Sequence, residues 1–175
     1  KRLLKTLPVR AREILVSRYG LDMNPEPMTL EAIGSMYGIT RERVRQIENY
    51  ALASIRKSED FKSERAPFEE LSANIHELGG LVPEEEFLSM VAPDQSTRNH
   101  IHLLLVLGDE FTRKKEDTEF KHRWYVNNEL ADRVHTSLRK LYNNLADDEL
   151  VPESELIEKF LTEVKDLNEQ YRNEE

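Results

Sequence analysis

The chain has 175 residues and no cysteine, with 34% charged and 38% apolar residues, which predicts one or two small domains and excludes disulfide scaffolds and zinc ribbons. No apolar run is long enough to span a membrane, and the first residues lack the pattern of a signal peptide. The net charge of −9 divides unevenly, because residues 1–57 hold 11 Lys and Arg against 6 Asp and Glu, a net +5, and the rest carries −14. A basic head on an acidic body is typical of a nucleic-acid-binding module joined to a second part.

Three helices are predicted in the basic head. Gly20 and Gly38 suit the left-handed residues that end a helix or make a tight turn. Thr29 and Thr40 are threonines placed to cap the second and third helices. The predicted helices are 8–18, Thr29 to about Tyr37, and Thr40 to about Lys57.

The acidic body is predicted to be mostly helical with one β-hairpin. Residues 58–66 are charged and lack large aliphatic side chains, which predicts a linker or a frayed helix end. Trp124 and Val126 alternate toward a core in the second strand of the hairpin. Three helices followed by a hairpin is the order of a winged helix. The predicted helices are 67–78, 83–91, about 95–107, 129–146 and 152–170, and the predicted strands are 110–115 and 120–126.

A faint sequence repeat occurs within the acidic body. The string Leu81–Leu88 recurs 69 residues later as Leu150–Ile157, each time after an apolar helix. One interpretation is that two helix N-termini share proline and glutamate for capping reasons. The other is that residues 128–175 are a helical segment that starts a second, truncated winged helix at about residue 129.

The spacing of residues 29–47 is typical of a helix-turn-helix. Ala32 is a small side chain that would let two helices approach closely, and Gly38 would make the turn between them. Ile33, Ile39 and Val44 would fill the wedge between the helices. The sequence therefore predicts a DNA-binding motif whose third helix follows the turn.

The predicted third helix has two faces. At about 100° per residue, one face is apolar and the other carries Arg41, Glu42, Arg45 and Gln46 in the first two turns. Arginine can bind guanine in two hydrogen bonds, glutamine can bind adenine, and glutamate can accept from cytosine. The alternative is a solvated face of an ordinary amphipathic helix. The spacing and the charge asymmetry favour base reading by this face.

Five strings in the head carry a family resemblance: Leu7-Pro8, Arg12–Leu15, Arg18–Asp22, Thr29–Gly34 and Ile39–Glu48. With them, residues 7–56 resemble region 4 of the sigma-70 family, the promoter-specificity subunits of bacterial RNA polymerase. The resemblance implies that this part binds the promoter −35 element, reads bases with Arg41, Glu42 and Gln46, and contacts the flap of the polymerase β subunit through the first helix and its loop. It also implies phosphate contacts or positioning roles for Arg10, Arg18, Thr29, Arg43 and Arg45.

The position of this part departs from the family pattern. Region 4 lies at the C-terminus of a housekeeping sigma factor, whereas here 118 residues follow it. Because the strand-opening segment is not found in them, and because the chain lacks an initial Met, we expect a fragment of a longer protein. Three functions are compatible: a sigma-like initiation subunit, a stand-alone repressor or activator, and a polymerase-binding protein that does not read sequence.

The body more weakly resembles the HARE-type winged helix over residues 67–127. The matching strings are Leu78–Val82, Gly108–Arg113 and Arg123–Val126. That resemblance implies a wing that touches DNA phosphate, and the alternative is a solvated hairpin. The candidate wing contacts are Arg113, Lys114, Lys115, Lys121 and Arg123.

No catalytic or ligand-binding motif stands out. The five histidines are not spaced as a metal-ligand set, and neither a P-loop nor a dinucleotide-binding glycine pattern occurs. We therefore expect a mainly α protein that is not an enzyme, needs no cofactor or metal, and works in the bacterial cytoplasm on the nucleoid. The charge asymmetry adds the hypothesis that the acidic body masks the recognition helix.

Overall fold

The computed structural model describes residues 2–145 and 151–164. It is mainly helical, as predicted, and divides into two compact units, Lys1–Val126 and Asn127–Glu175. A 3-10 helix, Leu3–Thr6, precedes the first α-helix. The helices are α1 (Val9–Tyr19), α2 (Leu30–Tyr37), α3 (Arg41–Lys57), α4 (Glu59–Ser63), α5 (Ala66–Glu77), α6 (Glu84–Val91), α7 (Gln95–Leu107), α8 (Asn128–Asn143) and α9 (Glu153–Glu163), and the strands are β1 (Leu81–Pro83), β2 (Thr112–Lys114) and β3 (Arg123–Tyr125).

The ends of the first three helices follow local sequence signals. The hydroxyl of Thr29 accepts a hydrogen bond of 3.1 Å from the backbone N–H of Ala32, and that of Thr40 accepts one of 3.1 Å from Arg43. Each cap satisfies a backbone donor that the first turn of a helix leaves free. Gly20 ends α1 in the left-handed conformation, with φ of 60°. These predicted boundaries are confirmed.

The helix-turn-helix core lies between α1, α2 and α3. Ile14, Ile33 and Val44 are fully buried there, and Ile39 packs against them from the turn. The expectation that Ala32 lets the helices approach is wrong, because Ala32 is exposed. Gly34 has that role, since a Cβ atom at Gly34 would lie 2.7 Å from the carbonyl oxygen of Ile39.

The first unit also contains a small antiparallel sheet of three strands. Its strand order is β1-β3-β2, with Val82 and Arg113 both opposite Trp124 of the central strand. The predicted hairpin is present with shorter strands, but β1 was not predicted. Three residues are too few for an alternating pattern to stand out. Trp124 is 2% exposed and forms part of the core between the sheet and the helices.

The predicted linker over 58–66 is occupied by folded structure. Ser58 caps the short helix α4, and Phe61 is 5% exposed. The ring of Phe61 meets that of Phe68 edge-on, with 5.1 Å between centroids. The expectation is wrong because a single aromatic residue anchors this charged segment. Phe61 and Phe68 belong to the same core cluster as Leu15 of α1.

Helix α7 joins the basic head to the rest of the first unit. The side chain of Asn99 donates hydrogen bonds to the carbonyl oxygens of Gly20 (2.9 Å) and Pro25 (2.6 Å). From α3, the guanidinium of Arg56 donates to the carbonyl oxygens of Leu107 (3.0 Å) and Val106 (2.6 Å) at the end of α7. These two contacts hold α7 against both the loop after α1 and the second half of α3.

The second unit contains the helices α8 and α9. Leu130 and Val164 are buried between them, with Val134 and Phe160 beside them. Asn127 caps α8 by accepting a hydrogen bond of 3.0 Å from the backbone N–H of Leu130. The two predicted helices are present, although residues 146 and 165–170 of the predicted ranges lie outside the described residues. Whether residues 128–175 begin a second winged helix stays a prediction, and residue 150 of its repeat string is also outside the described part.

Candidate nucleic-acid interface

The first two turns of α3 present polar side chains to solvent. Arg41, Glu42, Arg45 and Gln46 are exposed, whereas Val44 on the opposite face is fully buried. Helix α3 runs without a break for 17 residues. Its apolar face is held by the core along the whole length of the helix. The predicted separation into a polar face and a buried face is therefore present, and the three predicted base-reading residues lie together.

These side chains bind each other in the free protein. Arg45 donates two hydrogen bonds, of 2.8 and 2.7 Å, to the carboxylate of Glu42. Gln46 donates to Glu42 at 3.4 Å and accepts from Arg43 at 3.1 Å. The hydrogen bonds from Arg45 hold the pKa of Glu42 below its usual value, and those to Glu42 raise the pKa of Arg45. Glu42 is thus an ionised hydrogen-bond acceptor on the exposed face of α3.

Arg41 has a partner that the sequence did not reveal. Its Nε atom lies 3.0 Å from a carboxylate oxygen of Glu31, in the first turn of α2, and both side chains are mostly exposed. An exposed pair of this kind contributes little stability. It does hold the guanidinium at the junction of α2 and α3.

The residues predicted to bind phosphate fall into two groups. Arg43 and Arg45 lie on the exposed part of α3, Thr29 caps α2, and the guanidinium of Arg10 lies 5.8 Å from the centre of the Tyr37 ring. Arg18 is different, because it donates to the carbonyl oxygen of Met28 at 3.1 Å and pairs with the nearly buried Glu48 at 3.4 Å. Arg18 thereby fixes the loop between α1 and α2.

The predicted basic wing is largely paired within the protein. Arg113 binds both carboxylate oxygens of Glu84, at 2.5 and 2.6 Å, and Trp124 donates to the same carboxylate at 2.8 Å. Burial alone would raise the pKa of Glu84, but the hydrogen bonds from Arg113 and Trp124 and the charges of Arg113 and His102 outweigh it and hold that pKa below its usual value.

The prediction of Arg123 as a wing contact requires a correction, because its side chain is only 3% exposed. It donates to Asp117 at 3.0 Å and to the carbonyl oxygen of Lys121 at 2.9 Å, so the turn of the hairpin satisfies the guanidinium. Hydrogen bonds from Arg123 and from the turn backbone hold the pKa of Asp117 far below its usual value. Lys121 lies 3.4 Å from Glu86, Lys114 is half-buried, and Lys115 is exposed.

None of the helices within 2–145 and 151–164 is long and apolar enough to cross a bilayer. Over the same ranges, no group of three His, Asp or Glu side chains is arranged to hold a metal ion.

Comparison with known proteins identifies the family that the basic head resembles. Residues 3–57 match the family model of Sigma-70, region 4. This region 4 segment is 51% identical over 53 residues to the RNA polymerase sigma factor SigA1 of Synechococcus elongatus. It is 45% identical over 56 residues to the sigma factor RpoD of Neisseria gonorrhoeae, and 50% identical over 56 residues to the sigma factor RpoS of Coxiella burnetii. The resemblance read from the five strings is confirmed.

The region 4 segment is a small part of this chain and of each relative that it matches. It makes up 30% of this chain and 13% of the Synechococcus sigma factor, and 32% of this chain against 9% and 16% of the Neisseria and Coxiella proteins. The comparisons therefore describe α1, α2 and α3, and the roles of α4 to α9 are matters for proposal.

Proposed function

We propose that this chain is a sequence-specific DNA-binding protein of bacterial transcription initiation, similar to a sigma factor, that recognises a −35-type promoter element with α3 in the major groove. The observation that carries the proposal is the exposed cluster of Arg41, Glu42 and Gln46 on the first two turns of α3. It lies within a segment whose relatives are RNA polymerase sigma factors. These turns are where a recognition helix meets base edges.

The proposed mechanism is non-covalent and has two parts. Arg10, Arg43 and Arg45, with the backbone amides at the start of α2, contact phosphate and position the helix. Arg41, Glu42 and Gln46 then contact base edges, which gives the sequence preference. Arg18 acts as a positioning residue, because its hydrogen bond to Met28 holds the loop that leads to α2. The protein has no catalytic role in this proposal.

The test is a fluorescence-anisotropy titration of the full chain at fixed salt, with a −35-type duplex and a scrambled duplex. Replacing Arg41 or Gln46 by alanine is expected to cost about 1–3 kcal/mol on the preferred duplex and much less on the scrambled one. Lys57→Ala is the matched control, since Lys57 is an exposed cation at the far end of the same helix. Equal losses on both duplexes for Arg41→Ala and Gln46→Ala would contradict base reading.

We also propose that RNA polymerase core is the protein partner, with the β flap as the contact, and that the protein acts in the bacterial cytoplasm on the nucleoid. The support is the sigma-factor identity of the relatives, although they match only the region 4 segment. Addition of core polymerase to the same titration is expected to strengthen binding to the −35-type duplex more than to the scrambled one.

One contact favours a second candidate, a stand-alone helix-turn-helix repressor or activator. The loop after α1, which was expected to face polymerase, is bound by Asn99 of α7 through the carbonyl oxygens of Gly20 and Pro25. A regulator that needs no polymerase would bind its duplex equally with and without core enzyme. Tight binding to polymerase together with duplex binding unchanged by Arg41→Ala would instead indicate an interaction protein that does not read sequence.

For the body, we propose a winged-helix domain of HARE type over residues 67–127. The support is the order α5, β1, α6, α7, β2, β3 and the sheet order β1-β3-β2. Because Arg113, Arg123 and Lys121 are paired with Glu84, Asp117 and Glu86, we take the exposed Lys115 as the wing contact. Lys115→Ala should weaken duplex binding on all sequences and reduce its salt dependence if the wing touches phosphate.

A further inference from the structure

Two helical pairs of this protein are built around the two copies of the sequence repeat. In the first unit, the string Leu81–Leu88 follows α5 and contains β1 and the start of α6. In the second unit, the described part of the other string, residues 151–157, follows α8 and contains the start of α9. A proline stands immediately before the second helix in both places, Pro83 before α6 and Pro152 before α9. The pair α8–α9 is therefore a counterpart of the pair α5–α6 in sequence and in element order.

A third helix covers the apolar side of α6 in the first pair. Helix α7 packs against both α5 and α6. Leu88 of α6 packs against the core cluster that includes Leu103 and Leu107 of α7. Ala92, one helical turn after Leu88, is fully buried, and Arg98 of α7 donates a hydrogen bond of 2.9 Å to its carbonyl oxygen. The side of α6 that carries Leu88 and Ala92 is thus the side on which the next helix lies.

The equivalent side of α9 is exposed. With the 69-residue offset of the repeat, Leu88 and Ala92 correspond to Ile157 and Leu161, which are 51% and 49% exposed. These two side chains lie one turn apart on α9 and form a continuous apolar surface. We call Ile157 and Leu161 the open stripe. The neighbouring face of α9, which carries Phe160, packs against α8.

The apolar side of α8 is also covered less than that of α5. Helix α5 carries apolar side chains at spacings of three and four residues, and all three are buried: Phe68, Leu71 and Ile75. The same spacing recurs along α8 and just after it, where the side chains are only half-buried: Leu138, Leu141 and Leu145. The pair α8–α9 therefore exposes apolar surface of the kind that the rest of the first unit covers on α5–α6.

The surroundings of the open stripe are acidic. Glu153 lies one turn before Ile157 and Glu158 lies next to it, and both are exposed. The second unit, residues 127–175, holds 13 Asp and Glu against 6 Lys and Arg. A second copy of this chain would bring the same negative charges against these carboxylates, whereas a basic helix would be attracted by them. The charge therefore favours a basic partner over a second copy.

We propose that the open stripe binds a basic amphipathic helix of a partner protein, which takes against α8 and α9 the place that α7 has against α5 and α6. Apolar side chains of the partner helix lie on Ile157 and Leu161, and lysine or arginine side chains beside them pair with Glu153 and Glu158. This occupant matches both the packing of the first pair and the charge of the second. The site lies in the second unit, outside the region 4 segment, and does not depend on the proposed DNA contact.

The experiment uses the full chain and a fluorescein-labelled peptide, Lys-Leu-Ala-Lys-Leu-Leu-Lys-Ala-Leu-Ala-Lys-Leu-Leu-Lys, whose leucines fall on one face of a helix. A second peptide carries Glu in place of Lys, and a third has the residues of the first in an order without helical periodicity. The stripe variants are Ile157→Ser and Leu161→Ser. Tyr142→Ser is the matched control, because Tyr142 is a large side chain, 77% exposed, on the other helix of the same unit.

An anisotropy titration is expected to show binding of the first peptide, with both other peptides weaker by about tenfold or more. Each stripe variant is expected to weaken binding of the first peptide by about fivefold or more, and Tyr142→Ser to leave it unchanged. No binding of the first peptide would overturn the proposal. Equal binding of the third peptide, or binding unaffected by both stripe variants, would also overturn it, since attraction between opposite charges would then account for the result.

Light scattering of the chain without peptide tests a second copy as the occupant. We expect a monomer, and a dimer that Ile157→Ser dissociates would show that a second copy covers the open stripe and that the proposal is wrong.

A duplex titration of Ile157→Ser separates this proposal from the proposed function. We expect Ile157→Ser to keep wild-type affinity for the −35-type duplex while it loses the peptide. Failure of duplex binding in the wild-type chain, with the peptide still bound, would count against the DNA function alone. Failure of peptide binding, with duplex binding intact, would count against the partner helix alone.

Discussion

The side-chain amide of Asn99 donates a hydrogen bond of 2.9 Å to the carbonyl oxygen of Gly20, 79 positions earlier in the chain. The same amide nitrogen lies 2.6 Å from the carbonyl oxygen of Pro25, so one buried side chain fixes the start and the middle of the loop after α1. Gly20 ends α1 in the left-handed conformation, and the carbonyl groups at the end of a helix have no partner within that helix.

Asn99→Ala is expected to lower the free energy of unfolding of the first unit by about 1–3 kcal/mol, because two buried carbonyl oxygens lose their donor. Urea denaturation followed by circular dichroism measures this change. Asn74→Ala is the control, since Asn74 is a half-buried asparagine within helix α5. Similar small losses for both variants would show that the contact with the loop adds no stability.

Phe61→Ala is expected to destabilise the first unit by about 3–5 kcal/mol, the usual cost of removing a buried aromatic side chain. The prediction depends on the packing of Phe61 against Phe68, in a segment whose composition suggests a linker. Chemical denaturation of Phe61→Ala beside Lys62→Ala, an exposed neighbour, provides the comparison. A loss below 1 kcal/mol in Phe61→Ala, as expected for a surface position, would mean that the segment behaves as a linker in solution.

Arg18→Ala is expected to act mainly on stability, with a loss of about 1–2 kcal/mol, because the carbonyl of Met28 loses a charged donor and the carboxylate of Glu48 loses its ion-pair partner. Glu48 is 12% exposed, so its charge would remain poorly solvated. The measurement combines urea denaturation with duplex titration, and Arg12→Ala is the control. Unchanged stability together with a uniform loss of affinity on all duplexes would identify Arg18 as a phosphate contact instead.

His102 is expected to make stability depend on pH. Burial lowers the pKa of His102 below its ordinary value of 6.5, and the charges of Arg113, Arg18 and His122 lower it further, while that of Glu84, at 3.7 Å, opposes them. The unfolded chain therefore binds the proton at a higher pH than the folded one, so stability is full above about pH 6.5 and falls as the pH drops toward the folded pKa.

His102→Gln should reduce this dependence, which is measured as the free energy of unfolding at a series of pH values from about 5 to 8. His76→Gln is the control, because His76 is exposed on α5. A steeper fall in His102→Gln than in the wild type would contradict the assignment.

The features predicted from sequence are those with local causes. Thr29, Thr40 and Gly20 act on backbone groups within four residues, so the sequence around each is enough to place a helix end. The two faces of α3 follow from helical periodicity alone. The wrong choice of Ala32 as the small residue between the helices was also a local error, because Gly34 lies only two positions away. Which of the two residues lies against the backbone of Ile39 depends on the path of the turn.

The features missed by sequence depend on contacts between distant segments. Asn99 is one polar residue in an amphipathic helix until its partner loop is known. Arg123 was predicted as a wing contact, and only the folded turn shows that Asp117 and two carbonyl oxygens enclose its guanidinium. Strand β1 was missed because its pairing partner, β3, follows some forty residues later.

The attachment of Arg56 to the end of α7 has a mechanical consequence. Helix α3 is continuous, so about 22 Å of rigid rod separates Arg56 from Arg41. At the C-terminal end of α3, Arg56 donates hydrogen bonds to the carbonyl oxygens of Val106 and Leu107. The N-terminal end carries the polar side chains that face solvent. The direction in which Arg41 points therefore depends on α7 as well as on α1 and α2, which pack along the same helix.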